Sequence, residues 1–146
     1  MPVMVTCYLR KHTVYIPTIG KVERSYYRHI EPVSMIPIAE IDELRQAFQQ
    51  ALARGNPIVP PLPIHNPPPP LLLKYAGVKN YSAFERGTST WNIEEKDGDY
   101  KIAPYRRRAD RGWEQDRGNI IILPPGSHAD DAIDRMIAIL QAHADT

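Results

Sequence analysis

Thr90-Trp91-Asn92-Ile93-Glu94-Glu95-Lys96-Asp97-Gly98-Asp99-Tyr100-Lys101-Ile102-Ala103-Pro104-Tyr105 reads as two alternating runs joined by an Asp-Gly turn. Successive strand residues point to opposite faces, so Trp91, Ile93, Tyr100 and Ile102 share one face and are expected in a core. The Asp-Gly pair suits a tight hairpin, because its backbone tolerates the positive φ such a turn requires. An antiparallel sheet is therefore the starting point.

Earlier in the chain, Val3–Leu9 and Thr13–Pro17 are β-branched and aromatic on either side of a polar Arg10-Lys11-His12. They predict a second hairpin, with Pro17 ending its strand or lying at an edge. The chain turns near Gly20, and Ser25–Ile30 resumes as a third strand. Val33–Ile38 is extended but interrupted by Pro32 and Pro37. At Ile41 the period changes: Ile41, Leu44, Phe48, Ala51 and Leu52 fall on one helical face, and Gly55 supplies a stop.

Residues 57–70 hold eight prolines that can continue neither a helix nor a central strand. They could serve as a ligand for an aromatic groove, but a stiff crossover inside one domain is the simpler reading. Leu71-Leu72-Leu73 follows as a strand or buried anchor. Asn80 can cap a short helix through Arg86, stopped by Gly87. Ile120–Leu123 reads as a further strand, halted by Pro124-Pro125-Gly126. Ser127 opens a Ser-x-x-Asp cap for a last helix with Ile133, Met136, Ile137 and Leu140 on its buried stripe. The expected fold is a single α+β domain over 1–146: an antiparallel sheet carrying two main amphipathic helices and one short helix.

Composition narrows the function classes. Lysine plus arginine (18) nearly balance aspartate plus glutamate (17), for a net charge of +1. That balance argues against a general nucleic-acid coat and against an acidic DNA mimic. The single cysteine, Cys7, cannot form an internal bridge and lies among alternating strand residues, which points to a reducing compartment. With no apolar run approaching ~20 residues and no basic-then-apolar leader, neither an anchor nor a secretion signal is expected, and the cytoplasm is the expected location.

Catalytic motifs are missing. No histidine has a Cys, Asp or Glu at a recognised ligand spacing, and no nucleophile elbow, phosphate loop or dinucleotide fingerprint occurs. Asp97 and Asp99 flank Gly98 as calcium ligands do, but a turn explains them better without the rest of such a loop. A non-enzyme without metal or cofactor is expected.

Two charged regions remain. Arg106, Arg107, Arg108 and Arg111, flanked by Tyr105 and Trp113, could meet phosphates and stack on a base, although Asp110, Glu114 and Asp116 interleave with them. The acidic set is Glu94, Glu95, Asp97 and Asp99 at the hairpin tip, followed by Glu114 and Asp116. On a rigid hairpin such carboxylates could pair with basic residues of a partner's cleft, or could simply solvate a turn.

Seven segments resemble immunity proteins of bacterial contact-dependent growth inhibition systems: Arg54–Pro57, Leu73–Lys79, Tyr81–Phe84, Trp91–Glu95, Tyr100–Tyr105, Gly112–Glu114 and Leu123–Gly126. The resemblance implies a cytoplasmic antidote that binds the C-terminal toxin domain of a large secreted effector, often a nuclease. For such an antidote the charge pattern makes Glu94, Asp97, Asp99, Glu114 and Asp116 the first-choice contacts, with Trp113 as a candidate aromatic anchor. The alternative is a nucleic-acid-binding module using the Arg106–Arg108 region.

Overall fold

A computed structural model of the protein describes residues 2–110 and 112–145. Its sheet contains β1 (Val3–Arg10), β2 (Thr13–Val22), β3 (Tyr27–Pro37), β4 (Ile58–Val59), β5 (Thr88–Lys96), β6 (Asp99–Arg107), β7 (Trp113–Gln115) and β8 (Ile121–Ile122). Its helices are α1 (Ile41–Arg54), α2 (Leu72–Ala76), α3 (Tyr81–Glu85) and α4 (Ala129–Ala144), with a 3-10 turn at Arg117–Asn119. The spatial order is β3-β2-β1-β5-β6-β7, antiparallel throughout, while β8 pairs with β6 and the short β4 runs parallel to β2. The α+β expectation holds, with one more short helix than the sequence suggested.

The two long helices pack on one face. Val5, Cys7 and Leu9 of β1 meet Val14 and Ile16 of β2, Trp91 and Ile93 of β5 and Ile102 of β6 beneath Leu44, Phe48, Ile133, Met136 and Leu140. These positions alternate along each strand, as the register Cys7↔Trp91, Val5↔Ile93 and Ile93↔Ile102 requires. Each fully buried aliphatic or aromatic side chain here contributes about 1.5–3 kcal/mol relative to leaving it in water. At the rim Arg45 Nε reaches Asp134 at 3.1 Å and Gln49 Nε2 reaches Asp130 at 3.1 Å, pinning α1 to α4. Ile41, expected on the buried stripe of α1, is 38% exposed.

The opposite face carries a smaller, aromatic cluster of Tyr8, Tyr15, Leu72, Leu73 and Phe84, roofed by α2 and α3. Leu71-Leu72-Leu73 is thus the entrance to a helix rather than a strand. Gly77, at φ +69, closes that helix with its N–H on the Leu73 carbonyl at 2.9 Å.

Several boundaries moved for identifiable reasons. Pro17 does not end β2, because the β1–β2 ladder stops at Tyr8↔Tyr15 and no bond to β1 is required of Pro17. A register shift on the β3 side follows at once, between Pro17 and Thr18. The two segments expected around Pro32 form one strand, Tyr27–Pro37, whose residues Glu31 and Pro32 bulge out of that register; the Glu31–Pro32 bond is cis. Only Ile121 and Ile122 of the expected 120–123 strand pair with β6, and Ile122 is 76% exposed. The cap of α4 lies one residue later than expected. Asp131 accepts the His128 N–H at 2.8 Å, while the Ser127 hydroxyl donates to the Pro124 carbonyl.

Where β1 and β2 part, Asn56 fills the gap. Its side chain accepts the Met4 N–H at 2.8 Å and donates to the carbonyls of Met4 (2.8 Å) and Ile19 (3.0 Å). Pro57 then accepts the Lys21 N–H, starting β4 and launching the proline-rich crossover over β3. Among the described residues no helix is long and apolar enough to cross a membrane.

Candidate interaction surface

The β5–β6 hairpin turns at Asp97 (φ +54) and Gly98 (φ +84), both in the left-handed region that an Asp-Gly turn supplies. Glu95 caps the turn by accepting the Gly98 N–H at 3.2 Å. Asp97 and Asp99 are exposed, and their carboxylates make no hydrogen bond or ion pair among the described residues. They form a free negative tip.

The other acidic candidates are held differently. Glu94 is half-buried, 3.8 Å from Lys101 Nζ and 3.5 Å from Gln115 Nε2. Glu114 pairs with Arg106 at 3.1 Å across β6–β7, and Asp116 accepts from Asn119 Nδ2 at 2.8 Å. Seven residue steps along β6 separate Asp99 from Arg106, about 23 Å at ~3.3 Å per residue. The predicted acidic set is therefore two regions, a free tip and a self-paired end, rather than one patch.

The arginines are likewise occupied. Arg106 and Arg107 belong to β6 rather than to a loop, and pair with Glu114 and with Glu85 (3.7 Å). Arg108 forms two contacts to Asp110, at 3.1 and 3.2 Å. Arg111 lies outside the described residues. Guanidinium groups already matched to carboxylates make a poor phosphate-binding row, which weakens the nucleic-acid alternative.

Trp113 sits at the self-paired end and is half-buried. Its ring lies 5.9 Å from Tyr8, 5.8 Å from Tyr81 and 6.4 Å from Phe84, centroid to centroid. In a flat sheet β7 would stand three strand spacings from β1, about 14 Å. The β6–β7 end must therefore curl over the aromatic face. Glu85 anchors that curl: it is 1% exposed, and both its oxygens face the Gly112 N–H at 3.2 Å. Nothing in the sequence marks Glu85, since a glutamate on a five-residue helix has no periodicity to show that it is buried.

Beneath α3, Arg10 is also buried, donating to the carbonyls of Phe84 (3.2 Å) and Arg86 (2.5 Å). His29 contacts Tyr8 through Nε2 and the phenol oxygen at 2.9 Å, and burial lowers the imidazole to about 4. Burial by the same face raises the Tyr8 phenol well above its ordinary value. Cys7, in the main core, is pushed up by burial and lacks the thiolate character of a nucleophile. A groove of about 560 Å³ runs between β3 and the proline-rich crossover, with Tyr26, Tyr27, Arg28 and His29 on one side and Pro68–Pro70 on the other. No group of three or more His, Cys, Asp or Glu side chains suited to a metal occurs among the described residues.

Comparison by sequence finds no matching family model and no matching curated protein. Comparison by structure finds the fold elsewhere. A protein of unknown function from Neisseria meningitidis superposes with a TM-score of 0.68 at 16% identity, covering 98% of this chain and 95% of that one. A chain of the CdiA-CT/CdiI toxin and immunity complex from Yersinia pseudotuberculosis superposes with a TM-score of 0.65 at 13% identity, covering 99% of this chain and 97% of that one. At such identities the likeness is one of fold, and it extends over nearly the whole of each chain.

Proposed function

We propose that this chain is the immunity member of a contact-dependent growth inhibition pair, binding and neutralising the C-terminal toxin domain of a large secreted effector in the cytoplasm. The observation that carries this reading is the whole-chain fold likeness to a chain of a toxin and immunity complex. The seven segments that resemble immunity proteins favour the inhibitor's side of such a pair. Several have structural work to do in this fold: Arg54–Pro57 contains the Asn56 bridge, and Gly112–Glu114 carries the curled end of the sheet.

Inhibition is by occlusion, and a nuclease is the toxin class that suits the surface best. A cleft that holds nucleic-acid phosphates is basic, so the free carboxylates of Asp97 and Asp99 would accelerate encounter with it. Trp113, half-buried against Tyr8, Tyr81 and Phe84, supplies an aromatic anchor, with Glu114 and Asp116 following it in sequence. A standard interface of roughly 800 Å² per partner is about a tenth of the 8772 Å² accessible surface.

The test is protection. The C-terminal domain encoded by the gene immediately upstream should arrest growth when expressed alone, and co-expression of this chain should restore growth and yield a stable complex. Arrest that persists despite soluble protein, or arrest caused by this chain alone, overturns the proposal.

A further inference from the structure

Three large side chains with apolar surface stand exposed at one end of the sheet: Tyr26 (39%), Tyr27 (44%) and Ile58 (63%). The strand register sets two of them in one row. Tyr27 of β3 and Ile58 of β4 pair with Lys21 of β2 from its two sides, so the three residues share a face across about 10 Å. The Lys21 ammonium lies 4.5 Å over the centroid of the Tyr27 ring.

The acidic tip belongs to the same end. β1 starts at Val3 opposite Glu95, and β1 and β2 are joined at their other ends through the Arg10↔Thr13 pair, so Val3, Val22 and the Lys96↔Asp99 turn all close this end. From β3 to β6 is four strand spacings, about 19 Å. An interface patch of roughly 800 Å² is about 30 Å across, so one partner covers the apolar row and the tip together. Trp113, paired with Arg107, stands at the far end of β6.

The row is built on a fixed frame. Its turn is closed by the Val22 N–H on the Tyr26 carbonyl at 2.8 Å and the Ser25 N–H on the Val22 carbonyl at 3.0 Å. The Tyr26 hydroxyl accepts the Leu62 N–H at 2.8 Å, and Arg28 donates to the Pro60 carbonyl at 2.7 Å. Val59 seats β4 so closely on β2 that a Cβ added at Gly20 would stand 2.8 Å from it, and strand alternation turns the neighbouring Ile58 to the other face. A single exposed apolar side chain is ordinary. An ordered group of them beside unpaired carboxylates has the make-up of an interface, because burying it costs little further ordering entropy. Anionic headgroups and nucleic-acid phosphates are repelled by Asp97 and Asp99. A protein whose apolar patch is flanked by lysine or arginine matches both halves.

We propose that this end of the sheet is the face that binds the toxin domain, with Tyr27 and Ile58 as apolar anchors beside the steering charges of Asp97 and Asp99. The toxin surface it fits is apolar at its centre and basic at its edge. The toxin as occupant rests on the function proposed above; the grouping of these residues does not.

Anchors and steering charges separate kinetically. Tyr27→Ser with Ile58→Ser should weaken the complex with the upstream toxin domain about 10-fold or more, nearly all of it in the dissociation rate. Met35 is the control, since at 47% it is as exposed as Tyr27 but lies eight residue steps further along β3, about 26 Å away. Met35→Ser should leave affinity within about two-fold. If the double variant fails to fold, hydrogen exchange on the wild-type chain carries the test: toxin should slow amide exchange over 21–27 and 57–59 and leave 33–37 unchanged. Unchanged dissociation in the double variant, an equal loss in Met35→Ser, or slowed exchange only outside this end overturns the surface while the immunity function stands. So does co-sedimentation with phosphatidylglycerol vesicles that the double variant loses, which would give the row to a membrane. A wild-type chain that does not bind the toxin domain overturns the function, and this assignment with it.

Discussion

Under α1 and α4 the sheet presents Val5, Cys7, Leu9, Ile16, Ile93 and Ile102, and every member of that cluster is apolar. On its other face the same strands present Thr6, Tyr8, Arg10, Thr88, Thr90 and Asn92, all of them buried and all but Tyr8 without an apolar side chain. There Thr6 donates to Asn92 at 2.7 Å, Asn92 to Tyr105 at 2.9 Å, and Thr90 to the Cys7 carbonyl at 2.9 Å. One face gains its stability from area removed from water, which is insensitive to direction. The other depends on matched donors and acceptors, whose geometry is exacting and whose breakage costs more than their formation contributes. The contrast assigns folding stability chiefly to the first face and the shaped, chemically specific surfaces to the second.

Substitution in the apolar face offers the largest effect. Phe48 is fully buried, so Phe48→Ala should destabilise the fold by about 3–5 kcal/mol, read as a shift of the urea midpoint at unchanged slope. A loss below about 1 kcal/mol would break the assignment of stability to that face.

The second face should show itself through pH. The imidazole of His29 is depressed from 6.5 to about 4, so between those values the unfolded chain takes up a proton that the folded chain refuses. Its contribution is complete above about pH 6.5, falls as pH drops through that window, and is gone below about pH 4. A loss of about 3 kcal/mol follows from the size of the shift. His29→Phe should flatten this part of the stability profile, and an unchanged slope would show that another group titrates there.

The hairpin tip belongs to neither face and should matter least for folding. Asp97→Asn with Asp99→Asn should alter stability by less than about 0.5 kcal/mol, while slowing association with the toxin domain severalfold at low salt and much less at high salt. Stopped-flow association rates at two ionic strengths check this, and equal rates for variant and wild type would remove the tip from the interface.

How much of this was legible beforehand follows from the range of the interactions. Alternation identified the β5–β6 hairpin, its Asp-Gly turn and the core positions Trp91, Ile93 and Ile102, because those patterns repeat within a few residues. Helices α1 and α4 announced themselves by the 3.6-residue period. The candidate site was far less legible. Asp97 and Asp99 were visible as a charged turn, but that Glu114 neutralises Arg106 required the pairing of β6 with β7, and that Glu85 neutralises Arg107 required α3 beside that end. Glu85, Arg10 and His29 carried no local mark of burial, since what surrounds each arrives from elsewhere in the chain.

The sequence by itself therefore determined the strands, the two long helices and the α+β class, since backbone sterics and apolar periodicity act between near neighbours. Tertiary structure alone decided that the sheet has a second buried face, that its β6–β7 end curls to bring Trp113 onto Tyr8, and that a glutamate of a five-residue helix is buried there against the Gly112 N–H. Those outcomes depend on partners 21 to 105 residues apart, as Trp113 and Tyr8 are, whose meeting is fixed only when the whole chain has minimised its exposed apolar surface and matched its buried polar groups.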